Sequence, residues 1–168
     1  MRVFLAIPIH IPFPIAQSEY LQLSFVKELH ITLAFFGEVT EDELLQIQKR
    51  FKRFSFTSFS LKTGSAFAYF PNSHNPKLVY IPVIHQKELK KLHSQIRTIF
   101  ADMFSFSTFV PHITFARVQK GLSMQEKEKL ESQVLPIHSL RITKMLLQKS
   151  ELSNQGPTYQ IIQKIRLK

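Results

Sequence analysis

The 168-residue sequence predicts an α+β fold in which two similar halves share one domain, residues 1–168. Three observations lead to this prediction. Strand-like segments alternate with amphipathic helical segments along the chain. One strand, turn and helix unit occurs in each half, and no linker-like stretch divides the halves. The length and the 44% share of hydrophobic residues suffice to bury one sizeable core.

The first half predicts two strands and two helices. Residues 3–7 and 29–36 are rich in β-branched and aromatic side chains between turn-forming residues, which is typical of strands. The intervening residues 15–25 are predicted to be helical. After Gly37, Thr40 caps a second helix with an acidic first turn and a basic last turn. Its predicted buried stripe comprises Leu44, Leu45, Ile47 and Phe51.

The middle of the chain predicts two strands and the longest helix. Residues 54–70 alternate small polar and aromatic side chains, a period of two that suits a half-buried strand. Residues 71–77 form a loop, residues 78–83 a strand and residues 85–100 a helix. The predicted buried stripe of this helix comprises Leu89, Leu92, Ile96 and either Ile99 or Phe100.

The last third repeats the strand, turn and helix of residues 29–51. Residues 109–118 predict a strand, which follows a loop around residues 102–107, and Gly121 precedes a charged helix over residues 123–132. The remainder predicts two strands, residues 137–148 and 158–167, joined by the turn-rich stretch SELSNQGP.

Composition limits the classes of function. The absence of cysteine excludes disulfides, thiolate catalysis and cysteine-ligated zinc. A formal charge of +10 predicts a polyanionic partner, nucleic acid or a phosphorylated substrate, although a basic surface can also serve solubility alone. Prolines interrupt the apolar N-terminal run and nowhere do about 18 apolar residues follow one another, so we expect a cytoplasmic protein without membrane association.

The most informative feature is a repeated H-x-T motif. HITL begins at His30 and HITF at His112, each within a predicted strand. Residues two apart on a strand point to the same face, so His30 projects with Thr32, and His112 with Thr114. The apolar residues beside them face the core. Each strand therefore offers a polar pair on one face.

This pairing predicts acid–base chemistry on a phosphodiester. An imidazole with a pKa of about 6.5 holds or releases a proton near neutral pH, and two imidazoles supply both proton transfers of a hydrolysis. Threonine hydroxyls can donate hydrogen bonds to phosphate oxygens. One H-x-T is usually structural, but two copies in equivalent units favour function. No metal and no cofactor is predicted, and no histidine pair has the spacing of a known metal motif.

The residues then resemble a known family over nearly the whole chain. RVFLAIPI is similar to the opening strand, ELHITLAFFGEV to the first signature, FVPHITFARV to the second, and SELSNQGPTYQ to the closing segment of the two-histidine phosphoesterases. Within that superfamily, the sequence resembles the bacterial RNA 2′,3′-cyclic phosphodiesterases, also called 2′-5′ RNA ligases.

The resemblance implies two pseudo-symmetric lobes, each an antiparallel sheet with outer helices, and an active-site cleft between the two H-x-T strands. It implies hydrolysis of RNA 2′,3′-cyclic phosphate ends to 2′-phosphates. By the same resemblance, His30 is the proton donor to the leaving 3′ oxygen, His112 is the proton acceptor from water, and Thr32 and Thr114 hold the phosphate.

Several further residues are candidates for binding substrate. Val110 stands where many relatives carry Arg, and Phe25 where an aromatic, often Trp, precedes the first motif. Arg117 is the candidate for an additional phosphate contact, with a surface salt bridge as the alternative. Tyr69 and Phe70 could stack on a base, with core packing as the alternative for each.

Three other functions stay open from sequence. They are ligation, which is the reverse reaction, hydrolysis of a small cyclic nucleotide, and RNA binding without catalysis. Binding alone predicts salt-sensitive affinity without turnover, whereas the enzyme predicts activity in the presence of chelator and a bell-shaped pH profile. We expect RNA ends as the partner and a monomer.

Overall fold

Regular structure covers most of the residues that the computed structural model describes, which are 1–12, 15, 20, 22–84, 86–106, 108–153 and 156–168. The strands within this part of the chain are β1 (Arg2–Pro8), β2 (Leu23–Phe25), β3 (His30–Glu38), β4 (Phe59–Thr63), β5 (Ala68–Phe70), β6 (Leu78–Ile84), β7 (His112–Val118), β8 (Ser139–Ile142), β9 (Lys144–Ser153) and β10 (Gly156–Arg166). Its helices are α1 (Glu41–Lys52), α2 (Lys87–Phe100) and α3 (Met124–Glu131).

The strands form two antiparallel sheets. The first sheet has the order β10-β9-β1-β3. The second has the order β2-β7-β6-β4-β8, and β5 pairs with β6 beside this path. β3 of the first sheet contacts β7 of the second, so the two H-x-T strands lie side by side where the sheets meet.

Helices cover the outside of the sheets. α1 contacts β10 and α2 contacts β3, so both pack on the first sheet. α3 lies beside β2, where the N–H of Gln22 donates to Glu126 Oε1 at 3.1 Å. We call the first sheet with α1 and α2 the first lobe, and the second sheet with α3 the second lobe. The predicted α+β fold of two lobes is confirmed.

Two capping boxes fix the starts of α1 and α3. The N–H of Glu43 donates to Thr40 Oγ1 at 3.2 Å, and the N–H of Thr40 donates back to the Glu43 carboxylate at 2.8 Å. Ser123 and Glu126 repeat this exchange at 3.2 and 3.0 Å. Each box satisfies backbone donors that lack partners within the helix. The two helices after the H-x-T strands therefore begin in the same way.

The predicted helix stripes are mostly confirmed. Leu44 packs at the edge of the core, and Ile47 and Phe51 of α1 are buried. Leu45 was expected in this stripe but is 62% exposed, because a helix turns 100° per residue and carries it beyond the apolar face. The buried residues of α2 are Leu89, Leu92, Ile96 and Phe100, together with His93.

Aromatic side chains and one ion pair bind the helices together. The ring of Phe100 lies 5.1 Å from both Phe36 of β3 and Phe51 of α1. Arg50 donates to both carboxylate oxygens of Asp102, at 2.5 and 2.6 Å. None of the helices in the described part of the chain has the length and apolar character needed to span a bilayer.

Three predicted elements differ from the structure because pairing between distant segments decides them. Residues 15–25 are not helical where described: β2 occupies Leu23–Phe25 and pairs with β7, while residues 13, 14, 16–19 and 21 lie outside the described residues. Residues 54–70 contain β4 and β5 rather than one strand. Between them the N–H of Gly64 donates to Pro82 O at 2.7 Å, and a Cβ on Gly64 would lie 3.3 Å from Pro82.

The third difference is that residues 137–148 divide into β8 and β9. β8 pairs with β4 in the second sheet, whereas β9 pairs with β1 in the first, so one apolar run serves both lobes. β7 also starts three residues later than predicted, at His112, directly after Pro111, which has no backbone N–H to donate. Residues 107, 154 and 155 of the predicted loop and turn lie outside the described residues.

Candidate active site

Both motif histidines occupy the first position of a strand. His30 opens β3 opposite Pro8 of β1, and His112 opens β7 opposite Pro82 of β6. Proline has no N–H to pair with the opposing strand, so its ladder is interrupted at the same point in each lobe. The two histidines therefore occupy equivalent positions at equivalent strand ends.

Each imidazole is anchored through Nδ1 to a carbonyl two residues earlier. His30 Nδ1 lies 2.9 Å from Glu28 O, and His112 Nδ1 lies 2.7 Å from Val110 O. A carbonyl only accepts, so Nδ1 carries the proton in each bond. In the neutral ring, Nε2 is then left with a lone pair. Each histidine thus presents Nε2 for proton transfer.

Aromatic rings fix the orientation of both imidazoles. Phe4 of β1 and Tyr159 of β10 lie 5.6 and 5.4 Å from the His30 ring, between centroids. Tyr80 of β6 lies 5.4 Å from the His112 ring. Tyr159 comes from a strand far along the chain from His30. In the sequence, it could be noticed only as part of the closing SELSNQGPTYQ segment.

The threonines project with their histidines, as predicted. Thr32 lies opposite Ala6 in the register that pairs His30 with Pro8, and Thr114 lies opposite Tyr80 in the register that pairs His112 with Pro82. Residues that oppose each other in an antiparallel pair share a face. Both threonines are half-buried on the faces of their histidines.

A β-bulge follows the threonine in each motif. In β7, Thr114 opposes Tyr80 but Ala116 opposes Val79, so one extra residue enters the strand. In β3, Thr32 opposes Ala6 but Ala34 opposes Leu5. The first six residues of both strands share one burial pattern, with two consecutive buried residues at the bulge.

The bulges decide which later residues face the cleft. After the extra residue, Arg117 opposes Leu78, two residues from Tyr80, and so lies on the face of Thr114 despite its odd offset. By the same shift, Phe35 lies on the face of Thr32, opposite Phe4, and is 56% exposed. Phe35 was not a sequence candidate, because the pairing that creates the bulge is not local.

The pKa of His30 is affected by burial and by the charges of neighbouring residues. Burial lowers its pKa below the ordinary value of 6.5, while the hydrogen bond to the Glu28 carbonyl and the Glu28 charge act in the opposite direction. The charges of His112 and Arg117 lower the pKa of His30 further. Burial also raises the pKa of Tyr159, against the charge of Arg117. β3 also contacts β7, so the structure brings His30, His112 and Arg117 together.

Three cavities adjoin this cluster. The largest, of about 690 Å³, has His30 in its wall. A cavity of about 170 Å³ is lined by Arg117 and Tyr159. A third, of about 190 Å³, is lined by Thr32 and His112 together with the exposed side chains of Phe35 and Val110. The cleft between the lobes thus gives access to both histidines.

His93 also borders the third cavity and was missed as a neighbour of the site. It is buried on α2 and stacks on Phe109 with 4.1 Å between centroids and 9° between planes, and its burial lowers its pKa. The sequence placed His93 only on one face of the helix predicted for residues 85–100. His74 is exposed in the loop of residues 71–77, and His85 lies outside the described residues.

Tyr69 and Phe70 lie on opposite faces of β5, and Phe70 opposes Leu78, the partner of Arg117, so it shares the face of Arg117. Neither lines a cavity that contains His30 or His112. The Tyr69 hydroxyl is buried and has no hydrogen-bond partner among the residues that the structure describes, and burial raises its pKa to about 12. Phe70 is 60% exposed on β5. Base stacking by these two residues stays a prediction.

Independence of metal also stays a prediction. No group of three potential metal-ligating side chains occurs among the described residues.

Comparison with known proteins identifies the family. The sequence profile of the 2′-5′ RNA ligase superfamily matches residues 14–153. The chain belongs to this superfamily. An RNA 2′,3′-cyclic phosphodiesterase from Thermotoga maritima is 30% identical over 176 residues, covering 96% of this chain and 93% of the relative. One from Methanothermobacter thermautotrophicus is 30% identical over 155 residues, covering 87% and 83%.

Two solved structures share the fold. The protein TT0787 of Thermus thermophilus superposes with a TM-score of 0.76 at 21% identity, covering 99% of this chain and 97% of that one. Apo LigT of E. coli gives a TM-score of 0.74 at 22% identity, covering 99% and 96%. The family resemblance drawn from the two H-x-T motifs is confirmed.

Proposed function

We propose that the protein hydrolyses terminal 2′,3′-cyclic phosphates of RNA to 2′-phosphomonoesters by metal-independent acid–base catalysis. The main support for this proposal is the pair of histidines, one from each lobe. In each, Nδ1 is hydrogen-bonded to a carbonyl and Nε2 is left for proton transfer. The activity named for the Thermotoga maritima and Methanothermobacter thermautotrophicus relatives supports this proposal.

The two histidines divide the proton transfers. His112 Nε2 takes a proton from water as the water oxygen bonds to phosphorus. The bond from phosphorus to the ribose 3′ oxygen breaks, and His30 Nε2, protonated beforehand, gives its proton to that oxygen. One water is consumed, and the product carries a 2′-phosphate beside a free 3′ hydroxyl.

Two threonines and one arginine stabilise the charge on phosphate. The hydroxyls of Thr32 and Thr114 donate to the non-bridging oxygens, where negative charge builds in the transition state. Arg117, on the face of Thr114, adds a positive charge and a planar set of donors that suits phosphate.

One chain supplies both histidines and both threonines, so we assign the activity to a monomer in which residues 1–168 act as one unit. RNA ends are its substrate, and we place it in the cytoplasm. Ligation is the reverse of this reaction and requires both ends at high effective concentration. No feature of the cleft favours ligation over hydrolysis.

The test is hydrolysis of a short RNA that ends in a 2′,3′-cyclic phosphate, in excess EDTA. Replacing His30 or His112 by Ala is expected to lower kcat by about 100- to 10,000-fold, while His74→Ala, in an exposed loop, changes it less than about twofold. Mass and phosphatase sensitivity identify the product as a 2′-phosphate. Salt-sensitive RNA binding without turnover by the wild type would instead support a binding protein.

A further inference from the structure

The largest of the three cavities at the site extends from His30 across the first sheet. Its volume of about 690 Å³ lies within the range of about 300 to 1,000 Å³ that is usual for pockets holding drug-sized ligands. A cyclic phosphate alone would fill little of this space. The cavity therefore has room for more of the substrate than its reacting end.

The register of β9 and β10 places two lysines in this cavity. Lys144, Leu146 and Gln148 alternate along β9 and share one face. Lys164 opposes Leu146, and Ile161 opposes Gln148, so these two side chains of β10 lie on the same face. All five side chains line the cavity.

The same face continues to the histidine. Gln148 opposes Phe4 of β1, and the Phe4 ring lies 5.6 Å from the His30 ring. The two lysines and His30 are therefore parts of one continuous surface, with the lysines at the end farther from β3.

The chemistry of this surface suits a nucleotide chain. Lys144 and Lys164 are exposed, and neither forms an ion pair with any residue that the structure describes. Two apolar side chains line the cavity beside the lysines: Leu146, which opposes Lys164, and Ile161, which is 47% exposed. Ammonium groups bind phosphates, and an apolar floor accommodates sugars and bases.

The direction of the reaction selects this side of the cleft. In an in-line displacement, water and the leaving oxygen lie on opposite sides of phosphorus, and the acid lies beside the leaving oxygen. With His30 as the acid, the ribose that bears the 3′ oxygen lies on the His30 side. The nucleotides attached to the 5′ side of that ribose must then leave the site on the same side, where the large cavity opens.

We propose that this cavity holds the nucleotides on the 5′ side of the cyclic phosphate, with Lys144 and Lys164 on their phosphates. The enzyme consequently prefers oligonucleotides to a mononucleoside cyclic phosphate. This inference rests on the proposed function, and it adds the place where the RNA chain on the 5′ side of the reacting end is held.

The test compares a tetranucleotide and a mononucleoside that both end in a 2′,3′-cyclic phosphate. The ratio of their kcat/KM values is measured for the wild type, for Lys144→Gln/Lys164→Gln and for Lys87→Gln/Lys90→Gln, a control that removes the same charge from exposed positions on α2. The ratio is expected to favour the tetranucleotide in the wild type and the control, and to fall at least about tenfold in the cavity variant.

The salt dependence adds a second readout. Loss of two phosphate contacts flattens the slope of log kcat/KM against log salt for the tetranucleotide by about 1.4, at about 0.7 per contact with a single strand. Equal efficiency on both substrates in the wild type would overturn the inference while leaving the proposed function intact. An equal fall of the ratio in the control variant would also overturn it, since charge anywhere would then suffice.

A binding measurement separates this inference from the proposed function. Affinity for a tetranucleotide that carries a 2′-phosphate needs no turnover and is expected to weaken at least about tenfold in the cavity variant only. If no substrate is hydrolysed but this difference appears, the proposed function fails and the assignment of the cavity stands. If binding is unchanged in the cavity variant, the assignment fails.

Discussion

Among single residues, His30 combines two opposed requirements. As the proposed donor it must hold a proton before the reaction, but its burial favours the neutral ring and lowers its pKa below 6.5. The charges of His112 and Arg117 act in the same direction. A bound phosphate diester brings a negative charge that favours the protonated ring. Substrate binding should therefore raise the pKa that the empty site lowers.

The pH dependence of hydrolysis tests this reasoning. kcat/KM reports the free enzyme, so the limb that follows the titration of His30, whether ascending or descending, is expected below pH 6.5. kcat reports the complex, so the corresponding limb is expected at higher pH. Initial rates over a pH range on both sides of 6.5 give both limbs. A kcat/KM profile with no limb below 6.5 would contradict the lowered pKa of His30.

At the scale of elements, the two bulged strands arrange the cleft. Both bulges follow the threonine of an H-x-T motif and turn the third residue after it toward the cleft: Phe35 in β3 and Arg117 in β7. The pseudo-symmetry of the backbone is thus kept, while the two side chains differ in chemistry. The cleft is apolar and aromatic at one of these positions and positively charged at the other.

Arg117→Gln tests the position that the bulge gives this side chain. Loss of a charged hydrogen bond to phosphate is expected to lower kcat/KM by about 10- to 100-fold. Because the Arg117 charge lowers the pKa of His30, the limb of kcat/KM that follows His30 should also move to higher pH. Arg117→Lys keeps the charge and should leave the limb in place.

Arg53→Gln, at the exposed end of α1, is the matched control and should change neither the rate nor the profile. A side chain that only maintained the fold would lower the rate without moving the limb. An unmoved limb in Arg117→Gln would therefore contradict a position beside His30.

Features of the strands that depend on local sequence could be predicted, whereas features that depend on distant pairing could not. The shared face of His30 and Thr32 follows from the two-residue period of a strand, which is local. The face of Arg117 depends on pairing with β6, and the orientation of His30 depends on Tyr159 from β10. The division of residues 137–148 depends on which sheet each part joins. Partners distant in sequence decide each of these features.

In the whole molecule, the chain crosses repeatedly between the lobes. The first sheet takes β1 and β3 from the N-terminal part of the chain and β9 and β10 from the C-terminal part, while β2 pairs in the second sheet between them. α2 follows β6 of the second sheet, yet its Phe100 packs on Phe36 of the first. No single cut in the chain would separate the lobes, so we expect them to unfold together.

The absence of tryptophan makes this expectation easy to test, because one introduced tryptophan reports one lobe. Phe54→Trp, beside Phe51 of α1, reports the first lobe, and Phe67→Trp, against Phe115 of β7, reports the second. Within each variant, the urea midpoint from fluorescence is compared with the midpoint from far-UV circular dichroism, so that the effect of the substitution on stability cancels. Because the first lobe takes strands from both ends of the chain and the second lobe is formed by the residues between them, the two midpoints should coincide in both variants. A fluorescence midpoint below the circular dichroism midpoint in one variant and above it in the other would mean that the lobes unfold separately, and that the cleft can be lost while one lobe stays folded.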